Sequence, residues 1–201
     1  MDTEQTQVSL LVVRAFDALR IPYFLGGSMA SSVHGIYRAT ADADFVAAVR
    51  PRHAEALVAM LKPAFYADLE AIRAAVAARR SFNVIHLDTL LKVDVFVAGA
   101  EPFQLTQFRR RVVQPCGPDG KTSFYVASPE DTVLAKLQWY RKGGGVSDRQ
   151  WADVLGVLKV QGTALDRAYL REWAHKLGLT ALLRKAEDQA GLPREPSPSV
   201  E

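Results

Sequence analysis

The sequence predicts an α/β (α+β) fold, a mixed sheet flanked by helices and followed by a region built of helices alone. Three observations carry this. Short apolar runs at 23–25, 39–49, 82–87, 91–97 and 122–127 are separated by segments whose apolar residues recur at helical spacing. Beyond residue 128 only the helical period remains. The composition, 49% hydrophobic and 23% charged over 201 residues, is that of a chain able to bury an ordinary core.

Taken in order, residues 7–19 form a helix with an apolar stripe of Leu10, Leu11, Val13, Phe16 and Leu19, which Pro22 stops. Residues 23–25 are a first strand, 29–34 a short helix closed by Gly35, and 39–49 a second strand. Pro51 opens a helix to Leu61, Pro63 breaks it, and Ala67–Arg80 is a further helix with Leu69, Ile72 and Val76 at helical spacing. Strands at 82–87 and 91–97 are joined by a turn at Asp88-Thr89. A short helix follows Pro102, then a strand-like 112–113, a turn at 116–120 and a strand at 122–127. Ser128-Pro129-Glu130-Asp131 is a strong helix start, with Ser as N-cap, Pro at the first helical position and acids in the first turn. That helix ends at Gly143–Gly145. Ser147-Asp148-Arg149-Gln150 caps the next, and 166–177 and 180–190 complete the helical region. Residues 1–127 thus carry the sheet and 128–192 the helices, while the Pro- and Ser-rich 193–201 is expected to be a disordered tail.

Composition narrows the function classes. A formal charge of +3, concentrated in neither half, leaves any nucleic-acid contact to local patches. The single Cys116 excludes an internal disulfide, and four scattered histidines offer no zinc site. No run approaches the ~20 apolar residues of a membrane span, and Met1-Asp2-Thr3-Glu4 lacks a signal peptide's basic start, so a cytoplasmic protein without membrane contact is expected.

The chemistry concentrates between Phe24 and Phe45. A strand turns successive side chains to opposite faces, so Asp42 and Asp44 point the same way. Two carboxylates side by side repel unless a positive charge, most simply a divalent cation, stands between them. The Gly26-Gly27-Ser28 turn at a helix start suits a phosphate, through backbone N–H groups and the helix dipole. In Leu91–Val97, Lys92, Asp94 and Phe96 share one face and three valines the other; a lone Asp in such a strand is costly without a partner. Asp94 is therefore the natural third carboxylate, and Lys92 a charge partner on its face.

These residues resemble the DNA polymerase β-like nucleotidyltransferases: Gly27-Ser28 after the first strand, Asp42-x-Asp44 on the next, and a third Asp, Asp94, on a later one. Within that superfamily the layout is similar to the abortive-infection type nucleotidyltransferase toxins and their uncharacterised relatives. In those, the sheet is followed by a helical region bearing a Lys, here Lys136, and then an Arg and an Asp, here Arg149 and Asp153. Gln150 departs from the pattern, which commonly has Asp after the Arg. The resemblance covers about residues 20–160 and makes 1–127 the nucleotidyltransferase core. It implies Mg²⁺-dependent transfer of a nucleoside monophosphate from an NTP to an acceptor hydroxyl with release of pyrophosphate. Asp42, Asp44 and Asp94 would hold two Mg²⁺, with Asp94 also able to take the acceptor's proton. Gly27 and Ser28, with Arg38, Thr40 and Lys136, would bind the phosphates. Arg149 and Asp153 would fix the helical lobe to the site.

Plainer readings stand beside these. At about 100° per residue Lys136 lies between Val133, Trp139 and Tyr140, and so points into a core or cleft. Arg38 and Thr40 also suit a structural role, and Arg149/Asp153 an ordinary i,i+4 pair. Arg109–Arg111 is read as a solvated basic run, His34 as structural, and Trp139, Tyr140 and Trp151 as packing between helices. For the acceptor, tRNA or protein in a toxin–antitoxin or phage-defence setting, with a cognate antitoxin as partner, is the leading expectation. The alternatives are a small molecule, as in antibiotic-modifying nucleotidyltransferases, or no acceptor at all in a non-catalytic nucleotide-binding partner protein.

Overall fold

The computed structural model describes residues 4–116 and 122–193. The turn expected at 116–120 lies, Cys116 apart, outside the described residues, as does the tail beyond Pro193. The chain divides into two compact units, one comprising the residues up to Ala30 and from Arg38 to Ser128, the other Ser31–Tyr37 and the residues from Pro129 onward.

All strands among the described residues belong to the first unit. Seven of them, β1 (Tyr23–Leu25), β2 (Asp42–Ala47), β3 (Phe65–Tyr66), β4 (Ser81–His86), β5 (Lys92–Val97), β6 (Val112–Cys116) and β7 (Thr122–Val126), form one sheet in the order β3-β4-β5-β2-β1-β7-β6. The sheet is mixed: β2/β5 and β1/β7 are parallel, and β1/β2, β4/β5, β3/β4 and β6/β7 antiparallel. Pro115 sits on the edge strand β6, where its missing N–H interrupts no inner ladder.

One sheet face is dry. Ala43, Phe45, Ala47, Val93, Val95, Val97, Phe82 and Val84 alternate inward from β2, β5 and β4. Val8, Val12, Val13 and Phe16 of α1 (Glu4–Ala18) and Leu57, Val58 and Leu61 of α3 (Ala54–Leu61) complete this core. Within it the rings of Phe16, Tyr23 and Phe45 meet at centroid distances of 5.4–5.9 Å. Helix α4 (Leu69–Ala78) starts on Asp68, whose carboxylate accepts the Ala71 N–H at 2.8 Å, and adds Ile72, Ala75 and Val76. The opposite face is covered only in part. Phe108 of α5 (Pro102–Arg110) packs edge-on against Phe24, at 5.1 Å between centroids.

Two expectations change in this unit. The short pair β3 had no periodicity to announce it; it exists because Phe65 and Tyr66 register with His86 and Ile85. The basic run 109–111 is not uniformly solvated. Arg111 lays its guanidinium 4.3 Å from the Tyr125 ring centroid and donates to the Phe108 carbonyl at 2.7 Å, a planar cation held by stacking.

The second unit contains α6 (Pro129–Lys142), α7 (Asp148–Gln161), α8 (Arg167–Lys176) and α9 (Thr180–Ala190). Val133, Leu134, Leu137, Val154, Val157, Leu158, Leu170, Leu179 and Leu183 are buried in it. The acids at the start of α6 do more than match the helix dipole. Glu130 accepts the Asp166 N–H at 3.0 Å and Asp131 accepts the Tyr169 hydroxyl at 2.5 Å, so both tie α6 to the start of α8. Gly35 is closed to any side chain, because a Cβ there would stand 2.7 Å from the Val157 nitrogen. Tyr140 and Trp151 pack as expected, with centroids 5.0 Å apart. Trp139 does not; it is 52% exposed and lies under the Lys142 ammonium.

Lys136 and Asp153 form an ion pair inside this unit, Nζ to Oδ2 at 2.7 Å, each side chain 5% exposed. Such a pair contributes little net stability against an apolar replacement, yet breaking it leaves a charge without its counterion in a dry place. Asp153→Ala is therefore expected to destabilise the unit by about 3–5 kcal/mol. The double change Lys136→Met with Asp153→Leu is expected to cost far less. Urea unfolding followed by tryptophan fluorescence measures this selectively, because Trp139, Trp151 and Trp173 all lie in this unit.

Candidate active site

The parallel pairing of β2 with β5 brings the predicted acids together across fifty residues of sequence. Asp42 lies opposite Lys92 and Asp44 opposite Asp94. Because β2 and β5 both alternate half-exposed and buried positions, all four side chains stand on the half-exposed face while Ala43 and Val93 enter the core. Asn83, opposite Asp94 on β4, shares that face.

Lys92 neutralises part of this cluster. Its Nζ lies 2.9 Å from Asp94 Oδ2 and 3.7 Å from Asp42 Oδ1, with side chains 40%, 21% and 46% exposed for Lys92, Asp94 and Asp42. The hydrogen bond to Asp94 holds the Lys92 ammonium above its ordinary pKa; partial desolvation opposes this, and the charges of Asp94, Asp42 and Asp44 reinforce it. The expected charge partnership on this face is present.

The Gly-Gly-Ser turn abuts the acids directly. Gly26 N–H donates to the Asp44 carbonyl at 2.7 Å, and the Ala30 N–H donates back to Gly26 O, opening helix α2 (Gly27–His34). Gly27 has φ +57°, and a Cβ there would stand 1.8 Å from Asp44 Oδ2. Only glycine permits both the left-handed backbone and this approach of the turn to the carboxylate. The next residue, Ser28, accepts a hydrogen bond from Arg38 Nη2 at 2.7 Å, so these two predicted phosphate ligands stand together beside the first turn of α2. Thr40 directs its hydroxyl to the Asp42 carbonyl at 3.4 Å, at the entrance to β2.

The structure thus brings Gly27, Ser28, Arg38, Thr40, Asp42, Asp44, Lys92 and Asp94 into the sheet unit, around the ends of β1, β2 and β5. The remaining predicted residues belong to the helical unit. Lys136, 4% exposed, and Asp153 are joined in the buried pair described above, while Arg149 is exposed. The geometric expectation that Lys136 points inward holds. As for metal ligation, no three His, Cys, Asp or Glu side chains among the described residues are gathered so as to hold a metal ion. The cation standing between Asp42 and Asp94 is the Lys92 ammonium. The donor set nevertheless suits a hard divalent cation, being carboxylate oxygens on adjacent strands that already accommodate a positive charge.

Two residues near the acids escaped the sequence reading. Gln5, in the first turn of α1, donates through Nε2 to the Asp42 carbonyl at 3.0 Å and ties the start of β2. It precedes the apolar stripe of its helix and carries no motif, so nothing marked it. Asn83 was readable in principle, since Phe82 and Val84 facing inward place it on the outer face.

No protein-family model and no curated protein sequence matches the chain. Among solved structures, the solution structure of the antibiotic-resistance factor ANT(2'')-Ia aligns with a TM-score of 0.54 at 15% identity, over 95% of this chain and 97% of that one. The crystal structure of ANT(2'')-Ia in complex with adenylyl-2''-tobramycin aligns with a TM-score of 0.53 at 14% identity, over 91% and 98% of the two chains. At such identities the likeness is one of fold. Among the described residues, no helix is long and apolar enough to cross a membrane. The chain shares the fold of the antibiotic-resistance factor ANT(2'')-Ia, and within it Gly27-Ser28 and the acids of β2 and β5 stand together in the sheet unit.

Proposed function

We propose that the chain is a divalent-cation-dependent nucleotidyltransferase that moves a nucleoside monophosphate from an NTP to an acceptor hydroxyl and releases pyrophosphate. The observation that carries this is the register of β2 on β5, which sets Asp44 beside Asp94, with Asp42 one step along the same face and Gly27 pressed against Asp44. A structural role does not call for three like charges on one face next to a turn that only glycine can make.

In this reading Asp42, Asp44 and Asp94 would hold Mg²⁺, two ions in the form the resemblance implies. When bound there, Mg²⁺ would neutralise charge on the triphosphate and ease deprotonation of the acceptor hydroxyl. The acceptor oxygen forms a bond to the α-phosphorus as the bond from that phosphorus to the β-phosphate bridging oxygen breaks; the electron pair leaves with pyrophosphate. The Asp94 carboxylate receives the hydroxyl proton. Ser28 and Arg38, already hydrogen-bonded to each other, offer a hydroxyl and a guanidinium to the departing phosphates, beside the positive end of α2. Thr40 steadies the entrance to β2 through the Asp42 carbonyl.

A small hydroxyl-bearing acceptor is the reading we favour. Its support is the likeness, over nearly the full length of both chains, to a structure carrying adenylyl-2''-tobramycin. A tRNA or protein acceptor, with an antitoxin partner, is kept as an outcome of the test.

The test is transfer of label from each α-³²P NTP, with Mg²⁺, to tobramycin, to total tRNA or to protein, with pyrophosphate measured in parallel. Label on the small molecule is the expected result. Label on tRNA or protein would keep the transferase and replace the acceptor. Nucleotide binding without turnover, undiminished by Asp42→Asn, would instead make the chain a binding partner. Asp42→Asn and Asp94→Asn are each expected to lower transfer by at least about 100-fold with the fold retained, as judged by circular dichroism. Gly27→Ala, forced into φ +57° and into Asp44, is expected to cost about 1–3 kcal/mol in urea unfolding and to reduce turnover sharply. Wild-type stability and turnover in that variant would show that the close approach to Asp44 is not needed.

A further inference from the structure

The four charged residues of β2 and β5 form a two-by-two array, Asp42 facing Lys92 and Asp44 facing Asp94, all on one side of the sheet. Directly opposed side chains in neighbouring strands lie about 5 Å apart at Cβ, within the range where half-exposed charges interact by a kcal/mol or more. Three negative charges and one positive charge leave the array at −2. The positive charge is not at its margin: Lys92 Nζ is bonded to Asp94 at 2.9 Å and lies 3.7 Å from Asp42. Lys92 also has room to withdraw. Its stem is unbranched and its side chain is 40% exposed, so the ammonium can leave for solvent without disturbing the strand.

We propose that Lys92 is the resident counter-cation of the acid face, and that a divalent cation enters by displacing its ammonium from Asp94 and Asp42. This rests on the reading of Asp42, Asp44 and Asp94 as metal ligands and adds a control on how the metal is loaded. Lys92 keeps the metal-free array from repelling itself, and it weakens metal binding because the same carboxylate oxygens serve both cations. Metal occupancy then becomes an exchange of one cation for another, and its affinity is set partly by a residue that is not a ligand.

The experiment is calorimetric titration of full-length wild type, Lys92→Met and Lys92→Arg with MgCl₂, without nucleotide, together with thermal unfolding of each in metal-free buffer and in Mg²⁺. Lys92→Met is expected to bind Mg²⁺ about tenfold more tightly, the size of effect that one nearby unit charge gives on a half-exposed face. Lys92→Arg, which keeps the competing charge, should stay within about twofold of wild type. Metal-free Lys92→Met should melt below wild type and recover most of the difference in Mg²⁺. Lys92→Gln gives the same comparison should the methionine variant not fold. Wild-type binding of Mg²⁺ with equal or weaker binding by Lys92→Met overturns the displacement and leaves the metal ligands in place. Absence of Mg²⁺ binding in every variant overturns both.

Discussion

Holding three carboxylates on one sheet face is the constraint around which the first unit is arranged. Like charges in adjacent strands disfavour the pairing that creates the site, so the pairing has to be secured elsewhere. The opposite face supplies that security: the side chains alternating with the acids, Ala43, Phe45, Val93 and Val95, are almost fully buried under α1 and α3. Lys92 removes part of the repulsion within the face itself, and half-exposure leaves the remainder to water. The Gly27 turn adds its own demand. With no side chain it can come up against Asp44, which places the start of α2 next to the acids at the cost of a left-handed backbone.

Much of this was legible in the chain because the determining signals are local. Strand β1 occupies the predicted residues, and Pro129 opens α6 as its neighbours require. The period-2 alternation placed Asp42 and Asp44 on one face, and Lys92 with Asp94 on another strand's face, before any pairing was known. What alternation does not encode is where pairing begins. The apolar pattern of the second strand extends back to residue 39, but the strand starts at Asp42, where Arg38 turns back to Ser28 and Thr40 bonds to the Asp42 carbonyl. For the same reason the pattern does not announce β3, since two residues have no period and their partners lie about twenty residues on.

In the helical unit, helical geometry indicated that Lys136 faces inward but not what it meets there. Its partner Asp153 sits one helix later, and reading Arg149 with Asp153 as an i,i+4 pair overlooked that buried carboxylates draw the nearest buried cation. Trp139 shows the opposite error. Its position beside an inward Lys suggested packing, yet the helix turns it to the surface, where it pairs with Lys142. At about 100° per residue Trp139 stands about 60° round the helix from Lys136, far enough to pass the edge of the buried stripe.

The strict alternation of β2 and β5 also bears on how the sheet avoids misassembly. Sliding either strand by a single residue turns its acids and Lys92 into the apolar layer and its valines or alanines out to water. An ordinary hydrophobic strand that slips loses some packing; here the slipped arrangement buries unpaired charge as well, and so competes far less well with the native one. The acids proposed to do chemistry thus act during folding as a proofreading device, penalising every odd register, and replacing them with neutral residues would leave a sheet that is easier to assemble wrongly.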